Sequence, residues 1–188
     1  MIKKRKKIDM TQFRRFISPS EVEFWVKQNY TNIDLSELSA KENIESTLCY
    51  YKGGASKFIN SLIRQGCGDY MDMLDLSALQ GQLMKYKIQE RIVVYRFVDF
   101  KEFLILHKKT LFGQKYAYPG FLSTTLLKDQ YSMDEIKHGR FVIELFIEKQ
   151  THGAYLPEVV RQNPEFEVLF PHHTYLKRLN RKRFYVYN

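Results

Sequence analysis

The residues best placed to do chemistry together lie in Pro164-Glu165-Phe166-Glu167-Val168-Leu169-Phe170. At a strand's period of two, Glu165, Glu167 and Leu169 share one face and Phe166, Val168 and Phe170 the other. The second face is apolar and suits a core. The first sets two carboxylates side by side. On a buried strand that is costly unless a cationic ligand, a developing positive charge or a resident arginine lies before them. The plainer alternative is a solvated strand face, where glutamate needs no explanation.

Two further groups bear on that choice. In Ile92-Val93-Val94-Tyr95-Arg96-Phe97-Val98, a β-branched and aromatic run that predicts a core strand, Arg96 shares a face with Ile92, Val94 and Val98. An arginine so placed points into a cleft or pairs with an acid. Gly120-Phe121-Leu122-Ser123-Thr124-Thr125-Leu126 reads as a strand with three consecutive hydroxyls. Upstream, Asn60 and Arg64 stand four apart and project from one side of a helix predicted over 56–65.

The elements that must carry these groups follow in order. Ser18-Pro19-Ser20-Glu21 is a helix start, with Ser18 as N-cap, Pro19 at the first helical position and Glu21 completing a capping box. Val22, Trp25 and Val26 give that helix its apolar stripe. A second helix follows Leu35 and carries Ile44 and Leu48. The third has Phe58, Ile59, Leu62 and Ile63 at helical spacing, and a fourth is predicted over 71–87. A short helix is expected over 100–109. Phe141–Ile147 is a strand, Pro171-His172-His173 a turn, and Phe184–Tyr187 the last strand. Helices first and strands after read as α+β.

At 188 residues the chain fits one domain, set as 18–188 behind a loose basic arm at 1–17. Its 13 Tyr and 14 Phe favour strands and aromatic-walled clefts over a plain helix bundle. The net charge of +9 suits phosphate-bearing small molecules or an anionic partner, and much of it sits at the two ends. Such terminal runs are more often solubilising tails. Cys49 and Cys67 have no Cys or His at ligand spacing, and His152, His172 and His173 lack an acid or Cys to complete a set, so no metal is expected. No apolar run approaches the roughly 20 residues that span a bilayer. The basic start at 3–7 has no apolar stretch behind it, which argues against a secretory signal of the usual kind. The expectation is a soluble chain, cytoplasmic or delivered as an effector.

An arginine after Val93-Val94-Tyr95, the Ser123-Thr124-Thr125 run and Glu165-x-Glu167, in that order, resemble the arginine, serine-threonine-serine and glutamate-x-glutamate set of mono-ADP-ribosyltransferases. The likeness is to the bacterial exoenzyme group of binary actin-modifying toxins and Rho-modifying enzymes. It extends upstream through Tyr51-Lys52-Gly53-Gly54 and Ile59-Asn60-Ser61-Leu62-Ile63-Arg64, and downstream through Gly153-Ala154-Tyr155-Leu156 and Glu167-Val168-Leu169-Phe170-Pro171. It covers roughly 35–187. Phe97 stands where the family often has Gly or Arg, and Thr125 where Ser is usual.

The resemblance implies N-terminal helices packed on a two-sheet, sandwich-like core with an NAD cleft. It also implies roles. Cleaving the nicotinamide bond of NAD builds positive charge on the ribose, which a nearby carboxylate stabilises. That carboxylate would be Glu167, bonded to the ribose 2′-hydroxyl and oriented by the Ser123 hydroxyl. Arg96 would grip a phosphate, with Arg64 and Asn60 beside it. Thr124 would line the cofactor site, and the Phe97 backbone would hold the nicotinamide amide. Glu165 would face the acceptor, an arginine side chain, since glutamine there accompanies asparagine targets. The expected enzyme is a monomeric, NAD-dependent, arginine-directed protein mono-ADP-ribosyltransferase whose target is recognised by the loop 159–164. Two other readings remain: the same fold modifying DNA or mainly hydrolysing NAD, and a basic binding module without catalysis.

Overall fold

The structure, a computed structural model, describes residues 8–29, 56–64, 76–130, 140–156 and 166–187. The second expected helix, both cysteines, Glu165 and the loop 159–164 lie outside the described residues.

Among the described residues three α-helices precede the strands: α1 (Pro19–Asn29), α2 (Ser56–Arg64) and α3 (Leu76–Leu83). Ser18 caps α1 as expected, its Oγ accepting the Glu21 N–H at 3.3 Å. Glu21 reaches back one residue further than a capping box requires, to the Ile17 N–H at 2.9 Å. Val22, Trp25 and Val26 are buried, and Phe16 packs on the Trp25 ring at 5.2 Å. A fourth helix, α4 (Phe100–Lys109), starts where the Asp99 side chain accepts the Glu102 N–H at 2.7 Å. It ends with His107, Lys108 and Lys109 in its last turn, where cations suit the helix dipole. Among the described residues no helix is long and apolar enough to cross a membrane.

The strands are β1 (Ile92–Val98), β2 (Lys115–Ala117), β3 (Leu122–Thr125), β4 (Phe141–Ile147), β5 (Ala154–Tyr155), β6 (Glu167–Phe170), β7 (Tyr175–Arg178) and β8 (Arg183–Tyr187). They form one sheet in the order β2-β7-β8-β4-β1-β3-β6-β5, antiparallel except between β4 and β8. The fold is α+β, as the order of helices and strands implies. The expected two-sheet sandwich is not what the hydrogen bonding draws. β1 pairs with β4 along its whole length, from Ile92↔Ile147 to Val98↔Phe141, but meets β3 at the single pair Tyr95↔Thr125. The sheet is thus continuous yet pinched, with β3, β6 and β5 joined to the other strands through a narrow seam.

The front of the sheet carries the main core, where Ile92, Val94 and Val98 of β1 meet Phe103 and Leu106 of α4 and the apolar stripe of α1. The back carries a smaller cluster of Phe13, Val93, Tyr95 and Phe146. Of the expected loose arm, Ile8, Phe13 and Phe16 are part of this packing. Arg14 bridges β1 in parallel, the Val93 N–H donating to the Arg14 carbonyl at 2.9 Å, and Phe13 meets the Phe146 ring edge-on at 5.3 Å. Its arginines find acids from far along the chain: Arg14 pairs with Glu90, just ahead of β1, at 3.2 Å and Arg15 with Glu144 of β4 at 3.1 Å.

Candidate active site

The short strands β3 and β6 pair over four positions, with Thr125 opposite Glu167 and Ser123 opposite Leu169. Ser123, Thr125, Glu167 and Leu169 therefore share one face, and Ser123 is the diagonal neighbour of Glu167. The Ser123 hydroxyl donates to Glu167 Oε1 at 2.6 Å, a charge-assisted length. Glu167 is 5% exposed, which overturns the solvated-face alternative for this strand. Its backbone is fixed too, since the Leu156 N–H donates to the Glu167 carbonyl at 2.9 Å.

The alternation read along 165–170 holds from Glu167 onward and stops there. Phe166 has φ 44°, in the left-handed region that a bulky aromatic residue rarely adopts. Its carbonyl accepts the Leu126 N–H at 3.0 Å, which ties that turn to the end of β3. The regular pleat of this strand therefore begins at Glu167.

Thr124 points away from Ser123. It is buried, and its hydroxyl donates to the Val168 carbonyl at 2.7 Å, adding a side-chain tie between β3 and β6. Asn60 is buried on α2, and its Oδ1 accepts the Phe121 N–H at 2.8 Å. Gly120 makes that approach possible: a Cβ there would lie 2.7 Å from Asn60 Oδ1. Both residues were expected at the cofactor, and in the structure these contacts hold the strand that carries Ser123. Arg64 closes α2, its side chain outside the described residues.

Arg96 does pair with an acid. Its Nε lies 3.0 Å from Glu102 Oε1 and its Nη2 3.3 Å from Glu102 Oε2, while Nη2 also donates to the Tyr118 hydroxyl at 2.9 Å. Tyr118 in turn donates to Glu102 Oε1 at 2.6 Å. The remaining arm, Nη1, donates to the Ser123 carbonyl at 2.7 Å. The sequence reading missed Glu102 and Tyr118. The available signal was an acid six residues past Arg96, just beyond a capping Asp. Glu102 and Tyr118 also line a cavity of about 430 Å³ with Ser61, Lys101 and Tyr116.

Phe97 lies on the opposite face of β1 from Arg96, paired with Val142. On that face Glu167, Thr125, Tyr95, Glu144 and Arg183 stand in register across five strands. Burial pushes the Glu144 carboxyl up, but its bonds to Arg15 and Arg183 outweigh this and hold it below the ordinary range. With Lys128, Arg140, Phe141, Val142, Lys182 and Arg183 it lines a cavity of about 470 Å³. With Arg183 paired to Glu144, three further cations leave the hollow positive and favour an anionic occupant, and neither Lys128 nor Arg140 stands out in the sequence.

Among the described residues no three or more His, Cys, Asp or Glu form a metal-binding group. His172 and His173 sit in the expected turn. The His172 N–H donates to Gln80 Oε1 at 3.1 Å, and its ring stands edge-on to Phe121. The arrangement offers a buried, hydroxyl-oriented carboxylate on the same face of the sheet as the cationic hollow. Such a group stabilises positive charge developing on a bound sugar.

No curated protein matches the chain by sequence. Solved structures share the fold. It is similar to the C3 exoenzyme of Clostridium limosum, at 15% identity over 93% of this chain and 95% of that one, with a TM-score of 0.67. A C3-type protein of S. aureus, solved with NAD, gives 18% identity, 94% and 97% coverage and a TM-score of 0.60. An ADP-ribosylating toxin of C. perfringens, part of a binary enterotoxin and solved with NADH, gives 18% identity and a TM-score of 0.71, covering 94% of this chain and 49% of that one. The family description ADP-ribosyltransferase exoenzyme matches residues 22–183. With a match of that extent, the chain belongs to the ADP-ribosyltransferase exoenzyme family, enzymes that transfer ADP-ribose from NAD.

Proposed function

We propose that the chain transfers ADP-ribose from NAD to arginine side chains of a protein, releasing nicotinamide, with Glu167 as the catalytic carboxylate. The observation that carries the reading is the 2.6 Å hydrogen bond from Ser123 to the buried Glu167. A carboxylate held in one orientation costs no reorganisation as the ribose becomes cationic. The cationic hollow around Arg140, on the same face of the sheet as Glu167, supplies positive charge for the phosphates, and Arg96, held by Glu102, Tyr118 and the Ser123 carbonyl, acts from the other face through the strand that carries Ser123. The Phe97 backbone holds the nicotinamide amide, and Asn60 and Thr124 support the site through the strand they secure. Arg64 adds charge from α2. Glu165 aligns the acceptor guanidinium and helps remove its proton.

Kinetics of NAD consumption and transfer test the reading. Glu167→Gln keeps the shape and hydrogen-bonding capacity but loses the charge, and is expected to lower kcat for both reactions by roughly 10²- to 10³-fold or more. Glu165→Gln is expected to lose transfer and keep most hydrolysis. Proteomic mass spectrometry after incubation with NAD then locates the acceptor. ADP-ribose on asparagine, or wild-type rates in Glu167→Gln, would overturn the reading. The net charge of +9 favours a second acceptor class, nucleic acid. Label that is lost to nuclease and kept after protease would select it.

A further inference from the structure

Ser123 and Glu167 hang from the narrow seam of the sheet, where β3 meets β1 at one bridged pair. Arg96 crosses that seam. One arm of its guanidinium holds the Ser123 carbonyl at 2.7 Å, and the other nitrogens are held by Glu102 and Tyr118. The three residues come from β1, from α4 and from the segment leading into β3. The Asp99 cap fixes the backbone that carries Glu102. The Arg96 and Glu102 side chains are only 13% and 18% exposed, so solvent screens the pair little. The two carboxylate oxygens match Nε and Nη2 on one edge of the planar guanidinium, which fixes the direction in which Nη1 points.

We propose that Glu102 is a positioning residue for the reaction: with Tyr118 it locks Arg96 as a brace that holds β3 against β1 and thereby sets Ser123 and Glu167. The inference rests on the ADP-ribosyl transfer reading and adds to it the group that keeps the catalytic carboxylate in register. Two rival roles for Glu102 predict other outcomes. A carboxylate facing the cavity of about 430 Å³ can touch bound NAD directly, or it can compete with a phosphate for Arg96.

The test uses the full chain with Glu102→Gln, Glu102→Asp and Tyr118→Phe. It combines steady-state NAD hydrolysis, thermal melting, and hydrogen–deuterium exchange read over 120–127 and 141–147. A brace predicts that Glu102→Gln lowers kcat roughly 10- to 100-fold, the scale of a misplaced catalytic group, while KM for NAD stays within about twofold. Exchange over 120–127 rises about tenfold while 141–147 is unchanged. Glu102→Asp keeps the charge and recovers part of the loss, and Tyr118→Phe shows the same pattern in smaller measure.

A change in KM alone overturns the proposal: a rise marks direct contact with NAD, and a fall marks competition for Arg96. Unchanged exchange over 120–127 also overturns it. Should Glu102→Gln fail to fold, Tyr118→Phe decides by the same two readouts. If the wild-type protein consumes no NAD, the functional reading fails, and the exchange measurement still decides the brace.

Discussion

β1 has two neighbours, and it treats them differently. Toward β4 it pairs at every residue, backed by Phe146, Val93 and Tyr95 behind and by the main core in front. Toward β3 it has one bridged pair, and side chains do much of the joining: Arg96 to the Ser123 carbonyl here, Asn60 to Phe121 and Thr124 to Val168 close by. The broad seam is built from apolar burial and backbone hydrogen bonds, which tolerate substitution by degrees. The narrow one shares the main core but adds individual polar contacts, each with a fixed direction. A scaffold that must be stable and a site that must be exact are thereby placed on opposite sides of one strand.

The difference can be broken from the stable side first. Phe146→Ala removes a fully buried ring from the broad seam and is expected to cost about 3–5 kcal/mol of unfolding free energy, measured by denaturant titration. Activity per folded molecule should change little, and a large fall in kcat at constant folded fraction would show that the two seams are coupled.

Gly120→Ala strikes the narrow side. Its Cβ would collide with Asn60 Oδ1, and the expected cost is about 1–3 kcal/mol with a clear loss of activity in the molecules that remain folded. Stability loss without activity loss would detach Asn60 from the positioning of Ser123.

The smallest effect sharpens the broad seam's electrostatics. Glu144 and Glu148 are both pushed up by burial, but both are held below the ordinary range. Arg15 and Arg183 do this for Glu144, and Arg91 and Tyr185 for Glu148. A depressed carboxyl contributes stability above its unfolded value, which is lost as pH falls through the lower folded value. The melting temperature should therefore decline below about pH 4.5. Glu144→Gln should flatten that decline by an amount worth under about 1 kcal/mol, because the ion pairs are partly exposed.

Much of this was legible in the residues. β1 and β4 announce themselves as β-branched and aromatic runs, and Ser18 with Glu21 marks the start of α1. The catalytic candidates Ser123 and Glu167 stand out because hydroxyls and acids are unusual between apolar neighbours. Other features were hidden for physical reasons. β7 is Tyr175-Leu176-Lys177-Arg178, whose cations read as a charged tail until β8 and β2 supply backbone partners on either side. β5 is two residues long and has no period to detect. Phe13 and Phe16 enclose two arginines, so that stretch looks like a basic arm until Glu90 and Glu144 arrive from far along the chain. Glu102 is invisible as the partner of Arg96 because their meeting depends on how α4 folds back after Asp99.

The left-handed backbone at Phe166 has a consequence for how such an enzyme can change. A β-strand propagates any shift along its length, but a residue turned out of the pleat interrupts that transmission. Under the proposed function the donor chemistry begins at Glu167, one residue past the torsions that leave the pleat. A shift arising ahead of Phe166 should therefore reach the proposed catalytic carboxylate weakened, which separates the tolerance of the two stretches to substitution.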